Sequence, residues 1–422
     1  MSLIKNGLWN IGGYIIPAIV TIPALGVMGR VLGAELFGVF TLALAVVGYA
    51  SIFDAGLTRA VIREIAIERN NEHNKLKIIS SATVVILALS LMAATLLFLG
   101  SDNVATLLKI SANLHAQVSY AFRILSFSIP FFLITQIWLS ILEGEEKFAI
   151  LNVYKTITGT LLSLLPAVFI LYKSTLEYAI AGLVIARLLC LIIAFNLCLN
   201  EILKAKLSID KATIKRLFMF GGWITVSNII SPILSYFDRF IVSNQLGAAN
   251  VAFYTAPSEI IARLSIVPGA FARALFPRLS YASSPKEQER TKRLITLILF
   301  AISFPALLIG GVFSENIMTI WMGPSFSGTP GNVLAILLVG FLFNSLAQVP
   351  FASIQSRGFA KLTAFVHLIE LIPYLLLLFY LIKQHGVIGA ATAWSVRMFV
   401  DFVILIFMDK RITKQHDLSI AR

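Results

Sequence analysis

The feature that most constrains this chain is a succession of apolar segments, each about as long as a bilayer's hydrocarbon core is thick. Twelve can be marked: Leu8–Gly29, Leu36–Ile62, Ile78–Leu99, Ala116–Leu142, Phe148–Leu171, Tyr178–Leu199, Leu217–Val242, Val251–Leu279, Leu294–Phe313, Val333–Ile354, Leu362–Ile382 and Val387–Met408. About 20 apolar residues of helix span a bilayer. Inside lipid the backbone must satisfy its own hydrogen bonds, which favours helices. The pattern therefore predicts an all-α polytopic membrane protein with twelve transmembrane helices. Composition closes off the soluble alternative. Of 422 residues 58% are apolar and only 13% charged, too few polar groups to cover the surface of a chain this long. The intervening stretches, such as Ser314–Asn332, are too short to fold by themselves.

Lysine and arginine test that topology. With the N-terminus in the cytoplasm, the cytoplasmic stretches carry 22 basic residues. The opposite loops carry four, namely Arg30, Lys109, Lys173 and Lys383. This is the positive-inside asymmetry, and it places both termini in the cytoplasm. The net charge of +13 thus reports topology first, and no nucleic-acid partner is expected.

A shift of 214 residues superposes the two halves. Gly7 falls on Gly221, Trp9 on Trp223, Leu32-Gly33-Ala34 on Leu246-Gly247-Ala248, Arg59-Ala60 on Arg273-Ala274, Gly144 on Gly358 and Lys147 on Lys361. Six spans separate equivalent positions, so the repeats are parallel, as in transporters whose halves rock about a cavity. The expected organisation is an N-terminal six-helix lobe over 1–200, a cytoplasmic linker over 201–216 and a C-terminal six-helix lobe with a short tail over 217–422. These are two pseudo-symmetric bundles.

Charges inside spans cost about 2.5–3.5 kcal/mol each at a helix centre, so they face a cavity, find a partner or snorkel. Glu259 with Arg263, and Arg397 with Asp401, are four residues apart and can neutralise each other on one helix face. His367 and Glu370 are three apart. Asp238 and Arg239 are adjacent and point in different directions. Arg123 stands near a helix start and is expected to snorkel to the outer interface. Asp54 has no basic residue on its own face. It either takes part in ion coupling or pairs with a base on another helix. Arg59, Lys155, Arg187 and Arg273 have no acid three or four residues away. Arginine forks and lysine charges suit phosphate oxygens, so these four are candidate cavity cations, with a plain anchoring role open for Arg59 and Arg273.

Other chemistry is missing. There is no phosphate-cradling Gly-x-x-x-x-Gly-Lys-Ser/Thr, no His-Glu-x-x-His and no Gly-x-Ser-x-Gly. Cys190 and Cys198 lie in one apolar run, about 12 Å apart as helix, too far to bond. No metal site and no cofactor are expected.

The stretch Gly29-Arg30-Val31-Leu32-Gly33-Ala34-Glu35-Leu36-Phe37-Gly38-Val39-Phe40, continuing to Phe53-Asp54-Ala55-Gly56-Leu57-Thr58-Arg59 and Arg63-Glu64, resembles the polysaccharide-exporter family. That family includes the O-antigen flippases of the Wzx type within the multidrug/oligosaccharidyl-lipid/polysaccharide (MOP) superfamily. Phe237-Asp238-Arg239-Phe240, Leu246-Gly247-Ala248 and Phe253-Tyr254 repeat the theme. The resemblance implies a bacterial inner-membrane flippase, not an enzyme. It would carry an undecaprenyl-diphosphate-linked oligosaccharide from the cytoplasmic to the periplasmic leaflet through a cationic central cavity. Coupling to H⁺ or Na⁺, and polymerase and chain-length proteins of the pathway as partners, stay open beside it, and a cavity within one chain predicts a monomer. A cation-coupled multidrug exporter and a membrane O-antigen polymerase or ligase are the alternatives. Eight intramembrane bases against five acids favour an anionic cargo.

Overall fold

In a computed structural model, residues 3–206, 208–281 and 285–420 are described. Within them the side chains at 3–15, 220, 222–236, 277, 280–281, 285, 360, 364 and 414–420 lie outside the description, and with them the Trp9–Trp223 match. Among the described residues there is no strand. The chain divides into two compact units, Met1–Ala249 and Asn250–Arg422. The first holds α1 (Leu3–Tyr49), α2 (Leu57–Ile67), α3 (Glu72–Leu99), α4 (Ser101–Leu107), α5 (His115–Ser126), α6 (Ser128–Gly144), α7 (Phe148–Tyr172), α8 (Leu176–Leu197), α9 (Leu199–Ala205) and α10 (Lys211–Leu246). The second takes nearly all of α11 (Ala248–Leu264), then α12 (Ile266–Tyr281), α13 (Pro285–Val312), α14 (Ser314–Met322), α15 (Thr329–Ser356) and α16 (Ala360–Ile420).

Eight of these helical stretches are long and apolar enough to cross a membrane. The expected first and second spans lie on either side of Gly33 in α1, which breaks the helix at φ 73°, ψ 174°. The eleventh and twelfth lie on either side of Gly386 in α16, at φ 59°. The expected seventh and eighth spans are helical, as α10 and as α11 with α12, but are not among the eight. The side chains at 222–236 of α10 lie outside the description, and Glu259, Arg263 and Arg273 lower the hydropathy of α11 and α12.

The repeat has a backbone counterpart. Gly247, at φ 86°, ψ 164°, ends α10 in the same extended left-handed conformation as its equivalent Gly33. That region is open essentially to glycine alone. It lets one helix follow another with a single intervening residue.

Within the first unit, inter-helix stretches contact one another in two groups. Arg69 donates to the Glu145 carbonyl at 2.9 Å. Lys75 and Lys147 both pair with Glu145, Lys147 at 2.7 Å. Lys204 pairs with Glu72 at 2.8 Å, and Ser80 donates to the Ser208 carbonyl at 2.7 Å. All join stretches expected on the cytoplasmic side. The stretches expected opposite also meet. Glu35 accepts from Ser111 N at 3.1 Å, and Ser243 donates to the Leu108 carbonyl at 2.7 Å. Arg123 pairs with Asp102 at 2.8 Å.

Glu145 sits at the centre of the first group. Partial burial works against its ionisation, but the lysine hydrogen bonds prevail and hold its carboxyl below the ordinary glutamate range. A depressed carboxyl pKa contributes stability above the unfolded value and loses it as pH falls through the folded one. Acidification below the usual glutamate range is therefore expected to loosen the Arg69–Lys77 stretch, read as faster proteolytic cleavage there. Glu145→Gln should remove that acid limb. An identical pH profile in the variant would show that the lysines do not act through Glu145.

Two helices of the first unit meet backbone to backbone. A Cβ on Gly56 would stand 2.8 Å from the Gly221 carbonyl carbon and closer still to its oxygen. Gly56 itself is left-handed at φ 73°. Beside this contact, buried Glu64 on α2 pairs with its neighbour Arg63 at 2.8 Å and with Arg216 on α10 at 3.8 Å.

Candidate functional site

Of the four candidate cavity cations, Arg59 has a partner on another helix, Glu143 on α6, at 3.7 Å. Lys155 is exposed on α7 and forms no ion pair among the described residues. Arg187 is half-buried on α8, with its guanidinium 4.6 Å over the ring of Phe132. That cation–π contact orients the fork. Arg273 is exposed on α12, its Nη1 beside Gly269.

The acids divide in two ways. Asp54 is buried, and its Oδ1 accepts from Thr58 N at 3.1 Å and from Thr58 Oγ1 at 2.8 Å. It thus holds the first turn of α2 in the manner of a helix cap. Asp238 is buried and accepts from the Arg239 backbone N at 2.8 Å. Glu259 and Arg263 form the expected same-face pair at 3.2 Å.

The densest polar group is in the second unit. Glu370 and Asp401 are each 7% exposed, with the half-buried His367 between them. His367 Nδ1 stands 3.7 Å from a carboxylate oxygen of each. The expected Arg397–Asp401 pair is not formed. Arg397 Nε lies 3.9 Å from Glu370 Oε2 instead, with its guanidinium 5.1 Å over the Tyr374 ring. The aromatic face and the second carboxylate draw Arg397 across to the other arm of α16, leaving Asp401 to His367. Both Glu370 oxygens, Asp401 Oδ1, His367 Nδ1 and Arg397 Nε are buried without a hydrogen bond. A cavity of about 180 Å³ adjoins them, lined also by Asn344 and Gln348 of α15. Two carboxylates face one guanidinium, so the group is one positive charge short of neutrality while His367 is neutral. Its geometry would admit a cation, since one ligand atom from each of His367, Glu370 and Asp401 lies within 4.8 Å of the others.

Residues 3–283 match the polysaccharide biosynthesis protein family. A protein of Shigella flexneri named as an O-antigen transporter is 46% identical over 99% of this chain and 100% of its own length. The chain belongs to the polysaccharide biosynthesis protein family. A low-salt glycan biosynthesis flippase of Haloferax volcanii is 26% identical over 89% of this chain and 76% of its own. Among solved structures, an inward-facing multidrug resistance MATE family transporter of the MOP superfamily superposes with a TM-score of 0.79. The match covers 96% of this chain and 98% of that one at 14% identity. The lipid II flippase MurJ, in an inward closed conformation, superposes with a TM-score of 0.78 over 96% and 87% at 18% identity. At those identities the likeness establishes the fold, which is that of the MOP superfamily. This member of the polysaccharide biosynthesis family is a multi-pass membrane transport protein rather than an enzyme.

Sequence reasoning missed a second buried network of this family member. Asp409 accepts from Ser353 at 2.6 Å and pairs with Lys292 at 3.0 Å and Arg357 at 3.7 Å, three partners from two other helices. Asp409 falls one residue beyond the marked end of the twelfth span, beside Lys410 and Arg411, where an acid reads as an ordinary surface charge.

Proposed function

We propose that the chain is a flippase that moves an undecaprenyl-diphosphate-linked oligosaccharide from the cytoplasmic to the periplasmic leaflet of the bacterial inner membrane. Twelve spans in two six-helix lobes would alternate access to a cationic central cavity, with both termini cytoplasmic. The observation that carries this reading is the full-length 46% identity to a protein named as an O-antigen transporter. Lys155, exposed and without an ion pair among the described residues, supports an anionic cargo. A diphosphate taken out of water needs cationic compensation. Arg59 and Arg273 would serve the same role from equivalent positions of the repeat, with Glu143 as the counter-ion Arg59 exchanges for the cargo.

We assign coupling to the His367–Glu370–Asp401 group. One proton or one Na⁺ supplies the missing positive charge there, and the adjoining cavity gives it a way in. The protein would act as a monomer, alongside the polymerase and chain-length proteins of the same pathway.

The experiment is leaflet exchange of a fluorescent polyprenyl-diphosphate oligosaccharide in liposomes holding the purified protein, with a cationic dye as the control cargo. Charge-assisted hydrogen bonds contribute about 1.5–3 kcal/mol each. Lys155→Ala with Arg187→Ala is therefore expected to slow glycolipid exchange on the order of tenfold or more. Glu370→Gln with Asp401→Asn should leave downhill exchange but abolish its response to a proton or sodium gradient. Dye movement without glycolipid movement would overturn the flippase reading in favour of a cation-coupled exporter.

A further inference from the structure

One cavity of the second unit shares no lining residue with the cavity beside the His367 group. It has a volume of about 730 Å³ and opens between α13, α15 and the second arm of α16. Its walls are graded along the helix axes. At one end stand Glu289, Lys292 and Arg293 of α13, with Asp409, Lys410 and Thr413 of α16. One turn further in, the lining is Leu297, Leu346, Val349, Pro350, Phe402 and Ile406. The polar end coincides with stretches rich in lysine and arginine, and the apolar end lies on stretches long and apolar enough to cross a membrane.

The charges at the polar end are not equivalent. Asp409 is occupied by Lys292 and Arg357, and Lys292 also takes Glu289 at 3.0 Å. Arg293 and Lys410 are exposed and form no ion pair among the described residues. They stand on opposite walls of the mouth, one from α13 and one from α16. The wall of α13 is a lipid-facing one. Only 11% of its most apolar stretch is buried, with Leu294, Leu297, Phe300 and Leu308 exposed along it.

We propose that this cavity binds an anionic phospholipid of the cytoplasmic leaflet. Its phosphate would sit between Arg293 and Lys410, and the start of its acyl chains would lie along Leu297, Val349 and Phe402. Basic pockets between helices at the cytoplasmic interface are built for anionic headgroups. The apolar inner wall excludes a free phosphate ion as the natural occupant. Because the cavity opens on the annulus, it samples the bulk lipids of the leaflet, which argues for a phospholipid over the scarce cargo lipid. The inference rests on the multi-pass topology and not on the cargo. A chain that moves no glycolipid but retains the phospholipid leaves it standing, and the reverse result removes it alone.

Native mass spectrometry of the full-length detergent-purified protein tests it, with phosphatidylglycerol, phosphatidylcholine and undecaprenyl diphosphate added in turn and in competition. The wild type should retain phosphatidylglycerol in preference to phosphatidylcholine. Each basic residue near a membrane surface contributes roughly fivefold to anionic lipid binding. Arg293→Gln with Lys410→Gln should therefore weaken retention on the order of 25-fold. Both side chains are exposed, so this variant keeps the fold. Arg293→Lys with Lys410→Arg keeps the charges and should keep the lipid. Equal retention of phosphatidylcholine, undiminished retention in the Gln variant, or preferential retention of undecaprenyl diphosphate would each overturn the assignment.

Discussion

Substituting alanine for Asp409 is expected to lower folding stability by about 3–5 kcal/mol, the cost of leaving buried charge unpaired. Lys292 and Arg357 each expose only 10% of their side chains, and both lean on this carboxylate. Lys292 keeps the exposed Glu289, whereas Arg357 keeps only hydrogen bonds to Thr413 and to Gln288. Asp409→Asn retains an acceptor for Ser353 and should lose less. Replacing the pair together, Asp409→Leu with Lys292→Met, should recover much of the loss, because desolvating two ions offsets most of their attraction. Thermal unfolding of the detergent-purified variants reads the series. An Asp409→Ala protein that melts with the wild type would mean that water, and not the carboxylate, solvates the two cations.

Gly56→Ala is expected to be comparably damaging, for two separable reasons. A left-handed φ costs a non-glycine residue about 1–3 kcal/mol. Overpacking a tight contact costs about 1–3 kcal/mol more. Two other glycines isolate these contributions. Gly33 has the same φ of 73° but an extended ψ of 174°, where Gly56 has 6°, and nothing within 4 Å of an added Cβ, so Gly33→Ala carries a backbone cost alone, and a larger one than at Gly56. Gly221 has no left-handed φ, but its Cβ would stand 3.0 Å from the Ala55 carbonyl oxygen, so Gly221→Ala carries crowding alone. The expected order of unfolding temperatures places Gly56→Ala below Gly221→Ala. If Gly221→Ala melted with the wild type, the α2–α10 contact would not be tight in solution.

The fold was legible in the sequence because the bilayer imposes a single, strong rule on helix length and polarity. Even a repeated Leu-Gly-Ala triplet translated into repeated backbone geometry at Gly33 and Gly247. The eighth span was harder to recover as an apolar helix, since Glu259, Arg263 and Arg273 fall within it. Side-chain partnering was less legible. Same-helix spacing found Glu259–Arg263 but paired Arg397 with Asp401, where the fold gives Glu370. Glu143 for Arg59 and Lys292 for Asp409 come from other helices. Their encounter depends on helix rotation, which a periodicity this uniformly apolar does not encode. Asp54 shows the converse. Its partner, Thr58, was within the same few residues, but the hydrogen bonds of a helix start are not written in charge spacing.

The single-residue joints at Gly33, Gly247 and Gly386 also have a mechanical consequence. A long loop absorbs the motion of one helix before it reaches the next. A joint of one residue has no slack, so torque applied to one arm passes directly to the other. The two arms of α1, and likewise those of α16, should each move as one lever.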